Sequence, residues 1–488
     1  MRFRPLPALW FLAAVVALLA SASHLLADTI VLKNGRRITA THVEVVNGRV
    51  TYETSAGQLS LSESIVARII RDANESDSQS RPVNERAANL PIAPPESLTT
   101  TTSSDVARAA VHDGAVDQDY LDRLEGDAQG GSPGAITRVI VGESAAAEFE
   151  VSQGNLDRAL EYYKRALSFA PENADLLLDS AYMHLRRSEY REALDDLERA
   201  RHAAPDSADV AKLTGWAYYG LNRLDDAVSE WKRAWQLRPD AEVQHALEKA
   251  ERDAAEEASY RENESAHFIL RFNGDATPAL AREVLQTLET HFSDIKSELD
   301  YTPPEPIAVV LYTSQQFSDI TRTPSWVGAL NDGRIRVPVD GLSGMTDELS
   351  RVLKHELTHS FITQKTRGHC PVWVQEGVAQ YIEGRRSTHA AKGLVYAYDQ
   401  HMDLSLASYE GVWLNLEASD AAEAYAWSLA AVEAIIDIGG MRDISSLLDR
   451  LAANSTTENA LLDVLGMNYE QLARATADYL RRTYLSAS

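Results

Sequence analysis

The chain has 488 residues, too many for one hydrophobic core, so three or four domains are expected. Its formal charge of -25 argues against a nucleic-acid partner and against electrostatic docking on anionic lipid. The single cysteine, Cys370, excludes an intrachain disulfide and leaves stability to cores of adequate size.

Arg2 and Arg4 open the chain, and an apolar run from Leu9 to Ala20 follows that is short for a membrane span. Ala20-Ser21-Ala22 and Leu25-Leu26-Ala27 then offer small residues for cleavage. Residues 1–27 therefore read as a signal peptide, and the mature chain is expected in the periplasm or outside the cell. An uncleaved segment would instead anchor the same domains to a membrane, which is the one membrane partner the sequence suggests.

Residues 28–71 read as a small β module. Asn47-Gly48 lies between Val43-Glu44-Val45-Val46 and Arg49-Val50-Thr51-Tyr52, a strong hairpin signal. No catalytic constellation occurs in it. From 72 to 139 Ser, Asn, Pro, Thr and Asp dominate, most clearly in Ser97 to Ser104 and in Gly130-Gly131-Ser132-Pro133-Gly134. Such a stretch buries too little apolar surface to offset its conformational entropy, so it is predicted as a flexible linker with a short helix near Val116 to Leu124.

Residues 140–258 repeat. Pro171, Pro205 and Pro239 are 34 residues apart, with Ala159, Ala193 and Ala227 twelve positions before them and Ala166, Ala200 and Ala234 five before. Tyr163, Leu197 and Trp231 recur at the groove-filling position between paired helices. These registers resemble about three tetratricopeptide repeats, best from Glu143 to Ala254. The glycine usual in the opening helix occurs only as Gly215, with Ala147 and Ala181 in its place earlier. Such an array implies either a protein-binding face or a brace for its neighbour.

After residue 260 the pattern becomes α+β. Ala266 to Phe272 alternates like a strand, Pro278 to Leu299 is an amphipathic helix, and Pro306 to Tyr312 is an apolar run of strand length followed by Ser314 as a helix cap. Arg334 to Val339 follows the Asn331-Asp332-Gly333 turn. Pro338 demotes it to an edge strand or marks a strand end, and the free backbone of an edge strand can pair with an extended peptide.

Next comes His355-Glu356-Leu357-Thr358-His359, in a helix capped by Thr346 or Ser350 with Leu349, Val352, Leu353, Leu357 and Phe361 as its apolar face. Residues four apart share a helical face, so His355 and His359 can present two imidazoles to one metal ion. Glu376, seventeen residues on, supplies a third ligand from a second helix and leaves an open fourth position. Cys370 is an alternative thiolate ligand, with a buried thiol of no role as the simpler reading.

The stretches His355 to His359, Pro371 to Ala379 and Ala424-Tyr425-Ala426-Trp427-Ser428 resemble the gluzincin zinc metallopeptidases, and more closely the bacterial peptidase MA-like domains that follow tetratricopeptide repeats. The resemblance spans about Arg261 to Tyr484, with a domain of 261–488. It implies a thermolysin-like α+β fold with a helical C-terminal part, and one Zn2+ held by His355, His359 and Glu376. It further implies Glu356 as the general base of peptide-bond hydrolysis, a peptide or protein as substrate, and Tyr425 as donor to the oxyanion. Tyr425 also reads as a core aromatic, and His369 and His389 are further donors without supporting spacing. Gln380 stands where many gluzincins carry an aspartate that orients a zinc histidine. A non-catalytic envelope scaffold with a structural zinc site is the competing reading.

Overall fold

The computed structural model describes the strand residues between Asp28 and Ile70, Pro95, and residues 105–486 apart from 274–276, 322–328, 340–341, 401–404 and 412–417. The expected signal peptide and residues 72–94 and 96–104 of the expected linker lie outside the described residues. The chain divides into two compact units, Met1–Val83 and Asn84–Ser488. The repeats and the region after them thus belong to one compact unit.

In the first unit β1 (Asp28–Leu32) lies between β2 (Arg37–Ala40) and β6 (Val66–Ile70). β3 (His42–Val46), β4 (Arg49–Thr54) and β5 (Gly57–Ser62) form a second antiparallel sheet with Val46 opposite Arg49.

The second unit is mostly helical. It opens with α1 (Asp105–Ala110), a two-stranded β7 (Val111–His112) and β8 (Ala115–Val116), and α2 (Gln118–Ala128). The linker expected through residue 139 is therefore ordered from Asp105. Ala107, Ala110, Leu121, Leu124 and Ala128 all bury themselves in the core of the following helices. Gly130 to Gly134, read as low complexity, is a helix junction. Gly131 takes φ +72°, Ser132 is the N-cap and Pro133 the first residue of α3 (Pro133–Ser152), a grammar that a composition count cannot see.

α3 pairs with α4 (Leu156–Phe169), α5 (Ala174–Arg186) with α6 (Tyr190–Ala203), and α7 (Ala208–Gly220) with α8 (Leu224–Leu237). α9 (Ala241–Glu257) closes the array. The six alanines and the groove-filling Tyr163, Leu197 and Trp231 are all buried. A Cβ on Gly215 would stand 2.4 Å from the Trp231 indole nitrogen, so the largest groove residue requires the smallest partner.

The remaining strands form one sheet of order β12-β13-β11-β10-β9: Leu330–Asn331, Arg334–Pro338, Ile307–Tyr312, Phe268–Phe272 and Arg261–Glu264. β10, β11 and β13 run parallel, and both outer strands are antiparallel. A parallel strand is covered on both faces, which is why all six residues of β11 are buried. On one face Phe268, Leu270, Val309, Leu311, Ile335 and Val337 join the core of α10 (Pro278–Leu299) and α12 (Asp347–Lys365). On the other, Val310 and Tyr312 pack with Phe317 of α11 (Ser314–Thr321), whose cap is Thr313 rather than Ser314 because the Thr313 hydroxyl accepts from the Gln316 amide.

α9 covers the rest of that second face, and here the interface is ionic. The Arg334 guanidinium donates to both Glu257 oxygens at 2.8 and 2.6 Å. Arg336 donates to both Asp253 oxygens at 3.0 and 2.7 Å and to both Asp332 oxygens at 3.0 Å. Lys249 donates to Asp332 at 2.5 Å. Exposures of 2% for Arg334, 1% for Arg336, 1% for Asp253, 4% for Glu257 and 2% for Asp332 exclude water from the cluster. The last helix of the array is thereby a wall of the next domain's sheet.

Of the two readings of Pro338, edge strand or strand end, the structure takes the second. β13 is not the edge: β12 pairs with it, Leu330 opposite Arg336 and Asn331 opposite Ile335. Pro338 sits at its end, where the missing N–H costs least. Helices after the sheet complete the unit: α13 (Val372–Ile382), α14 (Ala391–Asp399), α15 (Ala418–Gly439), α16 (Met441–Ala452), α17 (Thr457–Leu465) and α18 (Tyr469–Leu480).

Candidate metal centre

Thr346 caps α12 by accepting from the Leu349 amide, and Asp347 and Glu348 complement the positive end of the helix. Leu349, Leu353, Leu357 and Phe361 are buried against the sheet, with Phe361 edge-on to Phe292 of α10. That anchorage turns His355 and His359 toward α13.

α13 begins at Pro371, which fits a helix start, and is almost wholly buried, so Glu376 is a polar group in apolar surroundings. Gly377 lets α15 approach: a Cβ there would stand 2.5 Å from the Ser428 carbonyl and 2.7 Å from Val432 Cγ2. α15 carries Tyr425.

Three ligand atoms converge. His355 Nε2 and His359 Nε2 are 3.2 Å apart, and each lies 3.6 Å from an oxygen of Glu376. One donor atom from each of the three residues falls within 4.8 Å of the others. Bonds of about 2.0–2.1 Å arranged tetrahedrally separate ligand atoms by about 3.3 Å, so these spacings fit one small cation. Glu376 Oε2 is buried and makes no hydrogen bond among the described residues, an arrangement that a cation satisfies.

Electrostatics follow from this crowding. Burial opposes charge on His355, but Glu376 and Glu383 outweigh it and raise the imidazole to about 10. Burial, with His355 adding its own charge, pushes His359 down to about 4. Burial holds Glu356 up at about 7, reinforced by the charges of Glu376 and Glu383. Glu376 is held below the usual range, because His359 and His355 outweigh its burial. A carboxyl poised near neutrality beside three converging ligands suits proton transfer at neutral pH.

Glu383 is the residue that sequence reasoning missed. Its Oε1 lies 3.6 Å from His355 Nδ1 and 2.7 Å from Arg385 Nε, with the side chain nearly buried. At that separation the carboxylate makes no hydrogen bond to the imidazole and acts on it through its charge, which makes the ring more basic. The signal was present as Glu383-Gly384 directly after Ile382, but Glu383 stands seven residues after Glu376, not four. Gln380 does not take that place. Its Nε2 donates to the carbonyls of Glu376 at 3.1 Å and Tyr425 at 3.0 Å, tying α13 to α15.

Tyr425 is half-buried on α15 and packs against the core. The Glu376 charge first, then burial, then Glu356 push its hydroxyl pKa well up, so the phenol keeps its proton beside the two carboxylates. His369 and His389 are exposed and belong to no ligand group among the described residues. Cys370 is buried in the core, its thiol pushed up by burial, and takes no part in the cluster.

Residues 294–482 match the Peptidase MA superfamily. No curated protein matches the chain. Among solved structures, the first TPR domain of human RPAP3 is similar at 22% identity and TM-score 0.22, covering 22% of this chain and 87% of that one. The second TPR domain of human RPAP3, solved with an HSP70 peptide, is similar at 24% identity and TM-score 0.22, covering 22% and 92%. MamA AMB-1 is similar at 23% identity and TM-score 0.23, covering 28% and 82%. The paired helices before Glu257 keep the 34-residue register of the sequence, and the Peptidase MA superfamily match begins after them, at residue 294.

Proposed function

We propose that the chain is an exported zinc metallopeptidase that hydrolyses peptide bonds, with a repeat array that binds protein partners. The observation that carries this reading is the convergence of His355, His359 and Glu376 next to Glu356 within a Peptidase MA superfamily domain. Two imidazoles, one carboxylate and an open position are the donor set of catalytic zinc, held by His355 Nε2, His359 Nε2 and Glu376. Zinc bound there supplies Lewis acidity toward water and the scissile carbonyl.

The protein's own groups do the rest. Glu356 accepts a proton from the attacking water and returns it to the leaving amine. Tyr425 donates a hydrogen bond to the oxygen on which negative charge develops. The Glu383 charge makes the His355 ring more basic. The outer edge of β12 offers backbone groups to an extended substrate, in a thermolysin-like arrangement of edge strand and metal helix.

Purified protein is expected to hold about one zinc and to cleave members of a peptide library. Glu356→Gln should lower turnover by roughly 10²–10⁴-fold while keeping the metal. A zinc-loaded wild type that cleaves nothing on a broad library would favour the scaffold reading. Export is tested by fractionation and N-terminal sequencing, with a mature chain starting near residue 23 or 28 expected.

A further inference from the structure

We infer that Asn331 is a positioning residue for the metal helix, and that α9 of the repeat array holds the hairpin on which it stands. This rests on the peptidase reading for its catalytic consequence only. The Asn331 side-chain amide donates from Nδ2 to the Glu356 carbonyl and to Ser360 Oγ, both at 2.7 Å. These acceptors flank the turn that carries Glu356, His355 and His359. The Asn331 Oδ1 accepts from the Gly333 amide at 3.2 Å and closes the hairpin, so the side chain is fixed at both ends.

A backbone carbonyl inside a helix already has its helical partner. A second donor therefore adds little to helix formation but sets where that turn lies relative to the edge strand. The hairpin cannot fix its own position, because β12 contributes two residues to the ladder. Its anchor is Asp332, gripped by Arg336 and by Lys249 of α9, while Asp253 and Glu257 of the same helix hold Arg336 and Arg334. A continuous set of hydrogen bonds thus runs from the last helix of the array to the turn bearing the general base. Asparagine is needed for it, since aspartate has the same size but no donor and would face a carbonyl.

The full-length, metal-loaded chain tests this with Asn331→Asp, Asn331→Ala and Lys249→Met. Loss of the two hydrogen bonds should speed amide exchange over residues 353–362 by about fivefold in both Asn331 variants, leaving α15 unchanged. The d–d absorption of the cobalt-substituted protein should shift in both. Turnover should fall by about tenfold or more with KM nearly constant, as expected when a catalytic group is misplaced. Lys249→Met should reproduce the exchange and cobalt changes more weakly. Unchanged exchange and absorption in Asn331→Asp would overturn the assignment, whether or not the chain cleaves peptides. Changes in Lys249→Met confined to α9 would overturn the role of the array. A wild type that shows these physical changes on mutation but cleaves nothing sinks the peptidase reading and leaves the positioning role supported.

Discussion

At the scale of single residues, the centre is a competition between burial and charge. His355 and His359 share a helix and nearly the same burial, yet their pKa values are pushed in opposite directions: Glu376 and Glu383 outweigh burial at His355, whereas burial and the His355 charge outweigh the same two carboxylates at His359. Glu383→Gln should therefore weaken zinc affinity by roughly 10–100-fold, measured by competition with a chromogenic chelator. Glu376→Ala should abolish tight binding in the same assay. Cys370→Ala should leave affinity unchanged, and a loss there would return the thiol to the ligand list. The sequence already marked His355, Glu356, His359 and Glu376, because two short spacings on helices carry them. Glu383 was legible only in part: it follows Glu376 by seven residues, on the same helical face, but which imidazole that face meets is set by how α12 and α13 pack.

At the scale of elements, the geometry depends on how closely three helices approach. α12 is held by its apolar face and by Asn331, and α13 meets α15 at Gly377 and through Gln380. Gly377→Ala places a methyl group within 2.5–2.9 Å of the Ser428 backbone. It should destabilise the protein by about 1–3 kcal/mol through overpacking. Because α15 carries Tyr425, the same change should lower turnover more than it lowers zinc affinity. Thermal unfolding and kinetics on one preparation separate the two effects. Pro338 alone left edge strand and strand end open, and the choice was not readable because the two-residue β12 that covers β13 has no periodicity.

At the scale of the whole second unit, the array and the peptidase domain share a buried ionic wall. Burial works against the Asp332, Asp253 and Glu257 carboxylates, but Arg336, Lys249 and Arg334 outweigh it and hold all three below their ordinary values. A depressed carboxylate contributes stability that is complete above its unfolded pKa, about 4 here, and is lost as pH falls through the folded value. The melting temperature of metal-free protein should thus fall below about pH 4, and less steeply for Asp332→Asn. Removing the array would leave Arg334 and Arg336 without Glu257 and Asp253. A fragment of residues 259–488 should fail to fold cooperatively, and the paired change Arg334→Met and Arg336→Leu should recover part of its stability. Circular dichroism melts decide the point, and a wild-type fragment as stable as the full chain would refute it.

The sequence by itself determined the repeat period, the strands and helices with strong local patterns, and the three residues, His355, His359 and Glu376, that the fold brings together. Each of these is set by spacing along one or two elements, and spacing is what a sequence records. Only the tertiary structure decided that Gly130 to Gly134 joins helices, that Arg334 and Arg336 face α9, that β12 forms the edge, and that Glu383 backs His355. Those outcomes depend on which surfaces meet. A buried arginine or an isolated glutamate acquires its meaning from a partner many residues away, which no local pattern carries.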